Sequence, residues 1–255
     1  MTEGLSARLK SPLSQRVDLS QILTGDWTTL APADLARRPA ELERDGLVEL
    51  GDLFDLSGSP AGTIRFSGDL AQVDRLGAGL TQGSVIIEGD LGNETGLAMA
   101  GGTIEVAGRV GARAGAAASG YKRGMSGGEL IVRGSAGPEA GASMRRGLLV
   151  VGGAAGERAG LGMIAGNVIV FGAVGAGAGL WSKRGSVVAL GKITPPATYA
   201  YACTYQPMHV RVMLLRLQTK YGLKVSKKQL TGLYRRYSGD MSELGKGEIL
   251  EWTAK

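Results

Sequence analysis

Seven short segments of this chain repeat one pattern: GTIRFSG (62–68), GSVIIEG (83–89), GTIEVAG (102–108), GELIVRG (128–134), GLLVVGG (147–153), GNVIVFG (166–172) and GSVVALG (185–191). Each segment begins and ends with glycine and carries a short apolar run between them. The starting glycines are 21, 19, 26, 19, 19 and 19 residues apart. A nearly constant period of this kind is typical of proteins built from stacked repeats.

Within each segment the residues alternate as in a β-strand, where successive side chains point to opposite faces. The positions predicted to face inward are Ile64, Phe66, Val85, Ile87, Ile104, Val106, Leu130, Val132, Leu149, Val151, Val168, Val170, Val187 and Ala189. Met99, Met125, Met144 and Met163 recur at one further offset, and we interpret them as core residues. The sequence therefore predicts a mainly β protein, a right-handed parallel β-helix with coils of about 19 residues.

The N-terminal segment, residues 1–60, does not repeat and is predicted to cover one end of the repeats at 61–194. Residues 5–9 alternate as a half-buried strand does. A short helix is expected to begin at Pro32 and to stop near Pro39, because proline is favoured at a helix start. Residues 47–58 are predicted to form two short strands that lead into the repeats.

The C-terminal segment, residues 195–255, is predicted to be a helical cap over the other end. The apolar residues between Pro207 and Lys220 form a broad stripe, which predicts a helix sandwiched between two layers. Ser226 and Gln229 form a capping box for a second helix, which is expected to run to Gly239. Residues 247–252 are expected to form a last strand.

The composition excludes several classes of protein. Glycine accounts for 43 of 255 residues without a Gly-X-Y period, which excludes collagen. The single cysteine, Cys203, excludes an intrachain disulfide, and the single histidine, His209, excludes most transition-metal sites. No apolar run approaches the roughly 18 residues of a membrane span. A cytoplasmic protein with no metal site and no membrane contact is expected, and its net charge of +6 fits either an acidic partner or a mildly basic surface.

No group of residues predicts catalysis by this chain. Cys203 and His209 are either a nucleophilic pair or a buried thiol beside a helix-start histidine. Glu88, Glu105 and Glu129 do not fall in one column, as the carboxylates of a carbohydrate-cleaving enzyme would. The stretch GAGAG (175–179) imitates a dinucleotide-binding loop, but no acidic residue follows about 20 positions later.

The outward side of the strands carries a continuous apolar column: Ile131, Val150, Ile169 and Val188. An uncovered apolar stripe marks an interface or a surface on which another element lies. Either the C-terminal helix or a partner subunit is expected to cover this column.

Basic residues recur at one corner of the repeats. Arg145 and Arg146 stand directly before Gly147, and Lys183 and Arg184 stand directly before Gly185. Lys122 and Arg123, in an insertion at 116–123, are predicted to reach the same edge; the insertion is a binding loop or a tolerated bulge. The six residues are either a site for an acidic ligand or a solvated corner. Nucleic acid is a poor ligand, since aromatic residues are not interleaved with the cations.

The repeats and their flanks together resemble a known family. The Gly-x-Gly-x-Gly corners, the 19-residue period, the segment GDLFDLSG (51–58) and the C-terminal GDMSELGKGEILEW (239–252) carry the resemblance, which covers most of the chain. The pattern is similar to the GXGXG β-helix at the C-terminus of glutamate synthase. It resembles more closely the C subunit of formylmethanofuran dehydrogenase and that of the bacterial formyltransferase/hydrolase complex.

The resemblance implies a non-catalytic scaffold subunit in one-carbon metabolism, of the kind used in methylotrophy. Its partners would be an amidohydrolase-type subunit with a metal, a formyltransferase-type subunit and a chain like the B subunit of the dehydrogenase. Together they would move a formyl group from formyl-tetrahydromethanopterin to a methanofuran-type carrier and release formate. The polyglutamate tail of that carrier would be an acidic ligand for the basic edge, and this chain would hold no cofactor.

Three alternatives remain open from the sequence. The short N-terminal segment and the lack of iron–sulfur cysteines favour the hydrolase complex over the archaeal-type dehydrogenase. A carbohydrate-active β-helix enzyme is the alternative of another class, and a polyanion-binding module is a third.

Overall fold

The protein is mainly β, and its computed structural model describes residues 4–253. Its strands, in chain order, are β1 (Leu5–Leu9), β2 (Val17–Asp18), β3 (Pro39–Leu42), β4 (Gly46–Glu49), β5 (Phe54–Ser57), β6 (Thr63–Ser67), β7 (Val73–Asp74), β8 (Ser84–Ile87), β9 (Thr103–Val106), β10 (Glu129–Val132), β11 (Leu148–Val151), β12 (Asn167–Val170), β13 (Arg184–Ala189), β14 (Ala200–Tyr205), β15 (Leu233–Gly239) and β16 (Lys246–Thr253). The helices are α1 (Pro32–Ala36), α2 (Leu50–Leu53), α3 (Met208–Tyr221) and α4 (Lys227–Thr231), with a 3-10 turn at Trp27–Thr29.

Twelve of the strands form one large, mostly parallel sheet in the order β5, β1, β6, β8, β9, β10, β11, β12, β13, β16, β15, β14. The seven repeat strands pair in parallel with like residues opposite one another, so that Ile64 pairs with Val85 and Val85 with Ile104. The same column continues from Leu130 to Val187. A smaller sheet has the order β4, β3, β2, β7.

A second line of contacts holds the repeat units together away from the large sheet. Single parallel bridges join one residue of each unit to the next: Leu70, Leu91, Val110, Ala136, Ala155 and Val174. Successive units therefore stack at two places, with the 26-residue unit accommodating its insertion between them. Mainly β structure and stacked repeats are confirmed.

The predicted inward residues form the core. All fourteen are at most 2% exposed, and the four methionines of the second column are at most 1% exposed. Small and β-branched side chains suit this thin core, because the neighbouring units stand only one strand spacing apart, about 4.8 Å. The prediction of the core columns is confirmed.

The N-terminal segment continues the sheet. The predicted strand at residues 5–9 is confirmed as β1, which pairs in parallel with β6 and antiparallel with β5. The predicted short helix from Pro32 is α1. Residues 47–58 contain the two expected strands, β4 and β5, with the single-turn helix α2 between them. Its capping box is formed by Glu49 and Asp52, which satisfies the orphan amides at the start of that turn.

The prediction that the second helix of the C-terminal cap runs to Gly239 is wrong. The second helix, Lys227–Thr231, has the predicted capping box of Ser226 and Gln229 at its start but ends at Thr231. Residues 233–239, expected to be helical, form β15 between β14 and β16, while the predicted last strand is confirmed as β16. Tyr234 and Tyr237 are residues that suit a strand, and pairing of β15 on both sides outweighs the local helical pattern.

Helix α3 lies on the outer face of the large sheet. Its Val210, Leu214 and Leu217 are fully buried, in one cluster with the outward column of Ile131, Val150, Ile169 and Val188. Of the two coverings expected for that column, the structure has the helix. The expectation of a helix buried on both sides is not met, because Met208 and Val212 are 60% and 62% exposed. None of the described helices has the length and apolar character needed to cross a membrane.

Candidate functional site

Four of the predicted basic residues surround one groove. Arg145, Arg146, Lys183 and Arg184 line a cavity of about 310 Å³ together with Ile164, Ala165 and Leu244. All four cations are exposed, and none forms an ion pair with any residue in the part of the chain that the structure describes. The groove therefore concentrates positive charge that the fold itself does not neutralise.

The repeat geometry builds this groove. The cationic pairs stand two units apart at the corner that precedes a strand, and Ile164 and Ala165 occupy the same corner in the unit between them. Backbone bonds join the three corners: Ile164 N donates to Met144 O at 2.8 Å, and Lys183 N donates to Met163 O at 2.7 Å. The apolar side chains of Ile164 and Ala165 are shorter than those of arginine and lysine. The two pairs of cations therefore form opposite walls of the groove.

A turn near the C-terminus completes the groove with an apolar wall. Leu244 lies in the turn that follows β15, and the buried Asp240 anchors this turn. The Asp240 carboxylate accepts hydrogen bonds from the Trp181 amide at 2.8 Å and from the Ser242 hydroxyl at 2.7 Å. Burial acts to raise the pKa of Asp240, but these hydrogen bonds outweigh it and the net pKa is lowered.

The exposed Trp181 near this turn was missed from the sequence. Its side chain is 59% exposed and its backbone has a φ of +60°, which is uncommon for a bulky residue. Its position two residues before Lys183 is the feature of the sequence by which it could have been identified. It adds an exposed aromatic residue at the corner that carries Lys183 and Arg184.

Lys122 and Arg123 do not line the groove. They lie in the exposed tip of the insertion, which borders a separate cavity of about 350 Å³ lined by Arg113, Tyr121, Ala142 and Ser143 among others. The expectation that all six cations share one edge is therefore not met, because two of them lie outside the groove. The insertion precedes the corner at Met125, whereas the groove residues follow the equivalent positions Met144, Met163 and Ser182.

A second charged feature is a ladder of alternating charges along another corner, which was not predicted from the sequence. Its members are Arg75, Glu94, Arg113, Glu139 and Arg158, whose φ values lie between +57° and +62°. The ion pairs between neighbours measure 2.6, 3.0, 3.1 and 2.9 Å in chain order. These residues recur with the repeat period, so reading that offset would have found them. Since every member is paired, we interpret the ladder as structural.

Glu129 fixes helix α3 to the sheet. Its carboxylate is 2.6 Å from Arg216 and 2.7 Å from Lys220, and it accepts a hydrogen bond from the Tyr221 hydroxyl. Burial acts to raise the pKa of Glu129, but the hydrogen bonds from Lys220 and Tyr221 and the charge of Arg216 bring it below its ordinary value. Arg133 adds a hydrogen bond of 2.7 Å to the Tyr221 carbonyl at the helix end.

The carboxylates considered for catalysis are held in ion pairs. Glu88 is paired with Arg65 at 2.9 Å, and Glu105 lies 3.4 Å from Arg133. Cys203 is exposed on β14, so a buried thiol is not what the structure has, and the His209 ring lies 3.8 Å from Glu248. Within residues 4–253 no cluster of three or more His, Cys, Asp or Glu side chains could hold a metal ion.

Charge is divided along the stack. Residues 1–140 carry 13 Lys or Arg and 18 Asp or Glu, a net charge of −5, whereas residues 141–255 carry 16 and 5, a net charge of +11. The sheet order follows the chain through the repeats, so the two charges lie at opposite ends of the stack. The basic groove and α3 both belong to the positive half.

The fold and the site together define a mainly β protein of stacked repeats with a basic groove at one corner. No known protein-family model matches the sequence. A curated relative, the C subunit of the formyltransferase/hydrolase complex Fhc of Methylorubrum extorquens, is 38% identical over 85 residues. That match covers 33% of this chain and 32% of the relative's length, about a third of each.

A solved structure extends the similarity to almost the whole chain. It is the crystal structure of the formyltransferase/hydrolase complex (FhcABCD) from Methylorubrum extorquens in complex with methylofuran. One of its chains is 33% identical, with a TM-score of 0.76, and the match covers 96% of this chain and 98% of that one. The chain belongs to the C-subunit family of the formyltransferase/hydrolase complex.

Proposed function

We propose that this chain is the scaffold subunit of a cytoplasmic formyltransferase/hydrolase complex. The observation that supports this most directly is the similarity over nearly the full length of both chains to a chain of the solved complex. In this proposal, the complex moves a formyl group from formyl-tetrahydromethanopterin to a methanofuran-type carrier and hydrolyses it to formate. The metal and the catalytic residues belong to the amidohydrolase-type and formyltransferase-type subunits, and a chain like the B subunit of the dehydrogenase completes the assembly.

The same proposal gives the fold a role. Residues 61–194 would be a right-handed parallel β-helix, with residues 1–60 and 195–255 as end domains. Two stacking contacts per unit support this arrangement, because they hold each unit parallel to the next at separate places. A stiff stack of this kind holds partners at fixed separations.

The ion-paired carboxylates support a non-catalytic role. A glycoside-cleaving enzyme needs two carboxylates facing one bond, about 5–10 Å apart. Glu105 lies against Arg133, and Glu129 is held by Arg216 and Lys220. The carbohydrate-active alternative therefore has no support from these residues.

The relative and the solved structure are both named for the formyltransferase/hydrolase complex, so we favour it over a dehydrogenase of the archaeal type.

We further propose that the groove of Arg145, Arg146, Lys183 and Arg184 binds the acidic tail of the carrier. The solved complex was obtained with methylofuran. Carboxylates along such a tail would find four cations with no competing ion pair among the described residues, and guanidinium groups bind carboxylates in two-point contacts. Lys122 and Arg123 lie outside the groove and are not needed for this binding.

The test of the scaffold role is co-purification. The tagged full chain is co-expressed with the other subunits of its complex, and the recovered proteins are identified by mass spectrometry. We expect the catalytic subunits in the eluate and no formyl transfer or hydrolysis by this chain alone. Turnover by the purified single chain, or recovery of the chain without the other subunits, would contradict the proposal.

The groove is tested with two variants of equal charge change, Lys183→Glu/Arg184→Glu in the groove and Lys227→Glu/Lys228→Glu on the exposed start of α4. The probe is a fluorescent oligo-glutamate peptide, with an oligo-glutamine peptide of equal length as its neutral counterpart. We expect the groove variant to weaken oligo-glutamate binding about tenfold or more, since each exposed ion pair contributes about 0.2–1 kcal/mol and reversal adds repulsion. Equal losses of affinity for oligo-glutamate in the two variants would contradict the assignment of the groove as the binding site.

A further inference from the structure

Helix α3 carries two apolar stripes on opposite faces. One stripe consists of Val210, Leu214, Leu217 and Tyr221, which are at most 5% exposed. The other consists of Met208, Val212 and Leu215, which are 60%, 62% and 38% exposed. Both stripes have the i, i+4, i+7 spacing of a helix face, and the offset of two residues between them turns one about 200° from the other.

Among the residues that the structure describes, the first stripe is the one with a packing partner. It packs on the outward column of the sheet and on Leu250 of β16, which continues that column. Among residues 4–253 no element packs over the second stripe, as the exposure of Met208 and Val212 shows. Large apolar side chains at this spacing on an exposed helix are the pattern by which helices pack against one another or lie in a groove. The sequence predicts a helix covered on both sides, and within the described residues α3 is covered on the side that faces the sheet.

The charges beside the stripe indicate the character of the missing layer. Helix α3 contains Arg211, Arg216 and Lys220 but no acidic residue. Arg216 and Lys220 are held by Glu129, while Arg211 has no ion pair in the described part of the chain. The helix also lies in the half of the chain that carries a net charge of +11. Complementary charge favours an acidic occupant.

A second copy of this chain is a poor occupant for the same reason. Two copies of α3 packed through this stripe would bring Arg211 of each near the other, with no carboxylate on either helix to offset the repulsion. A partner with acidic flanks meets no such penalty. The charge pattern therefore disfavours pairing of two copies through α3 and favours an acidic partner of another kind.

We propose that the stripe of Met208, Val212 and Leu215 binds an amphipathic helix with acidic flanks from another subunit of the complex. The proposal rests on the scaffold role given above, because it requires that other subunits assemble on this chain. It assigns the docking surface to the outer face of α3, on the far side of that helix from the sheet.

The first experiment is co-expression of the tagged full chain with the remaining subunits. The variant Val212→Asp places a charge in the stripe, and Leu47→Asp is the matched control because Val212 and Leu47 are 62% and 73% exposed. We expect the stripe variant to recover at least about tenfold less of the subunit that docks there, while the control recovers wild-type amounts. Thermal unfolding of each variant shows whether the fold is retained, as expected for exposed positions.

A second measurement identifies the occupant while keeping the stripe apolar. A photo-crosslinking residue replaces Val212 in the full chain within the complex, and the same residue at Leu47 is the control. The expected product joins position 212 to a helix of another subunit that has acidic residues beside its apolar face. A crosslink to a second copy of this chain, or to a basic or non-helical segment, would overturn the proposal.

The two proposals fail in different ways. If the wild-type chain recovers no other subunit, the scaffold role and the docking inference are both wrong. If the wild-type chain and the stripe variant recover equal amounts of every subunit, the scaffold role stands and the docking inference is wrong.

Discussion

At the scale of the residue, the corner ladder shows how the repeat uses charge. Glu94 lies between Arg75 at 2.6 Å and Arg113 at 3.0 Å, and only 15% of its side chain is exposed. Both arginines also reach a second acid, Asp18 and Glu139. Removing the Glu94 carboxylate therefore leaves Arg75 and Arg113 with one acidic partner each. The repulsion between these two cations is then less well compensated.

We predict that Glu94→Gln destabilises the protein by about 1–2 kcal/mol at pH 7, a figure kept low because Arg75 is partly exposed and solvent screens the pair. Urea unfolding measures the change. Glu157→Gln is the matched control, since Glu157 is exposed and has no ion pair among residues 4–253. Equal stability of the two variants would contradict a role for the ladder.

We predict that the difference in stability between the wild type and Glu94→Gln depends on pH. Burial acts to raise the pKa of Glu94, but hydrogen bonds from Arg75 and Arg113 outweigh it and the folded-state pKa is lowered. A lowered pKa stabilises the folded state above the ordinary value of 4.5, and this contribution is lost as the pH falls through the folded-state pKa. The difference between wild type and Glu94→Gln should therefore be full at neutral pH and shrink in acid.

At the scale of the element, α3 shows that neighbouring residues of one type have different roles. Leu214 is fully buried against the sheet, and Leu215 is 38% exposed on the second stripe. Gly222 follows the last residue of the helix, and its φ of +63° gives the left-handed turn that closes many helices. Its C-terminal turn is held to β10 by Glu129.

We predict that Leu214→Ala lowers the free energy of unfolding by about 2–5 kcal/mol, because it leaves a cavity between helix and sheet. Leu215→Ala is the matched control and should cost less than about 1 kcal/mol. Urea unfolding of the isolated chain measures both. Similar losses for the two variants would show that the second stripe is already covered within the chain.

At the scale of the whole molecule, close spacing between units holds the stack together. A methyl group added at Gly101 would stand 2.0 Å from the Thr81 carbonyl oxygen of the preceding unit. At Gly79, whose φ is +64°, an added methyl group meets no atom within 4 Å. The first position requires glycine for contact between units, and the second requires it only for backbone conformation.

We predict that Gly101→Ala costs more than about 3 kcal/mol and lowers the slope of unfolding against urea, because repeats couple only to their neighbours and a forced gap separates two halves. Gly79→Ala should cost about 1–2 kcal/mol, the usual penalty for a left-handed residue, with an unchanged slope. An unchanged slope in Gly101→Ala would contradict the role of this contact in coupling the units.

The amino-acid sequence was sufficient to establish the repeat, the alternation of its strands and the core, because side chains on a strand alternate with a period of two and equal units stack in register. It also identified the cationic pairs at 145–146 and 183–184, since equivalent positions recur at a fixed offset. It failed at β15, where the capping box of α4 was read correctly but the helix was extended over residues that pair with β14 and β16.

Which groups meet across the chain was settled by the tertiary structure alone. It separated Lys122 and Arg123 from the groove, closed that groove with Leu244, and determined which stripe of α3 faces the sheet. Such contacts depend on how insertions and end segments fold over the stack, and no local period encodes them. Residues 233–239 became a strand for the same physical reason: unpaired hydrogen-bonding groups at the edge of a sheet outweigh weak local preferences.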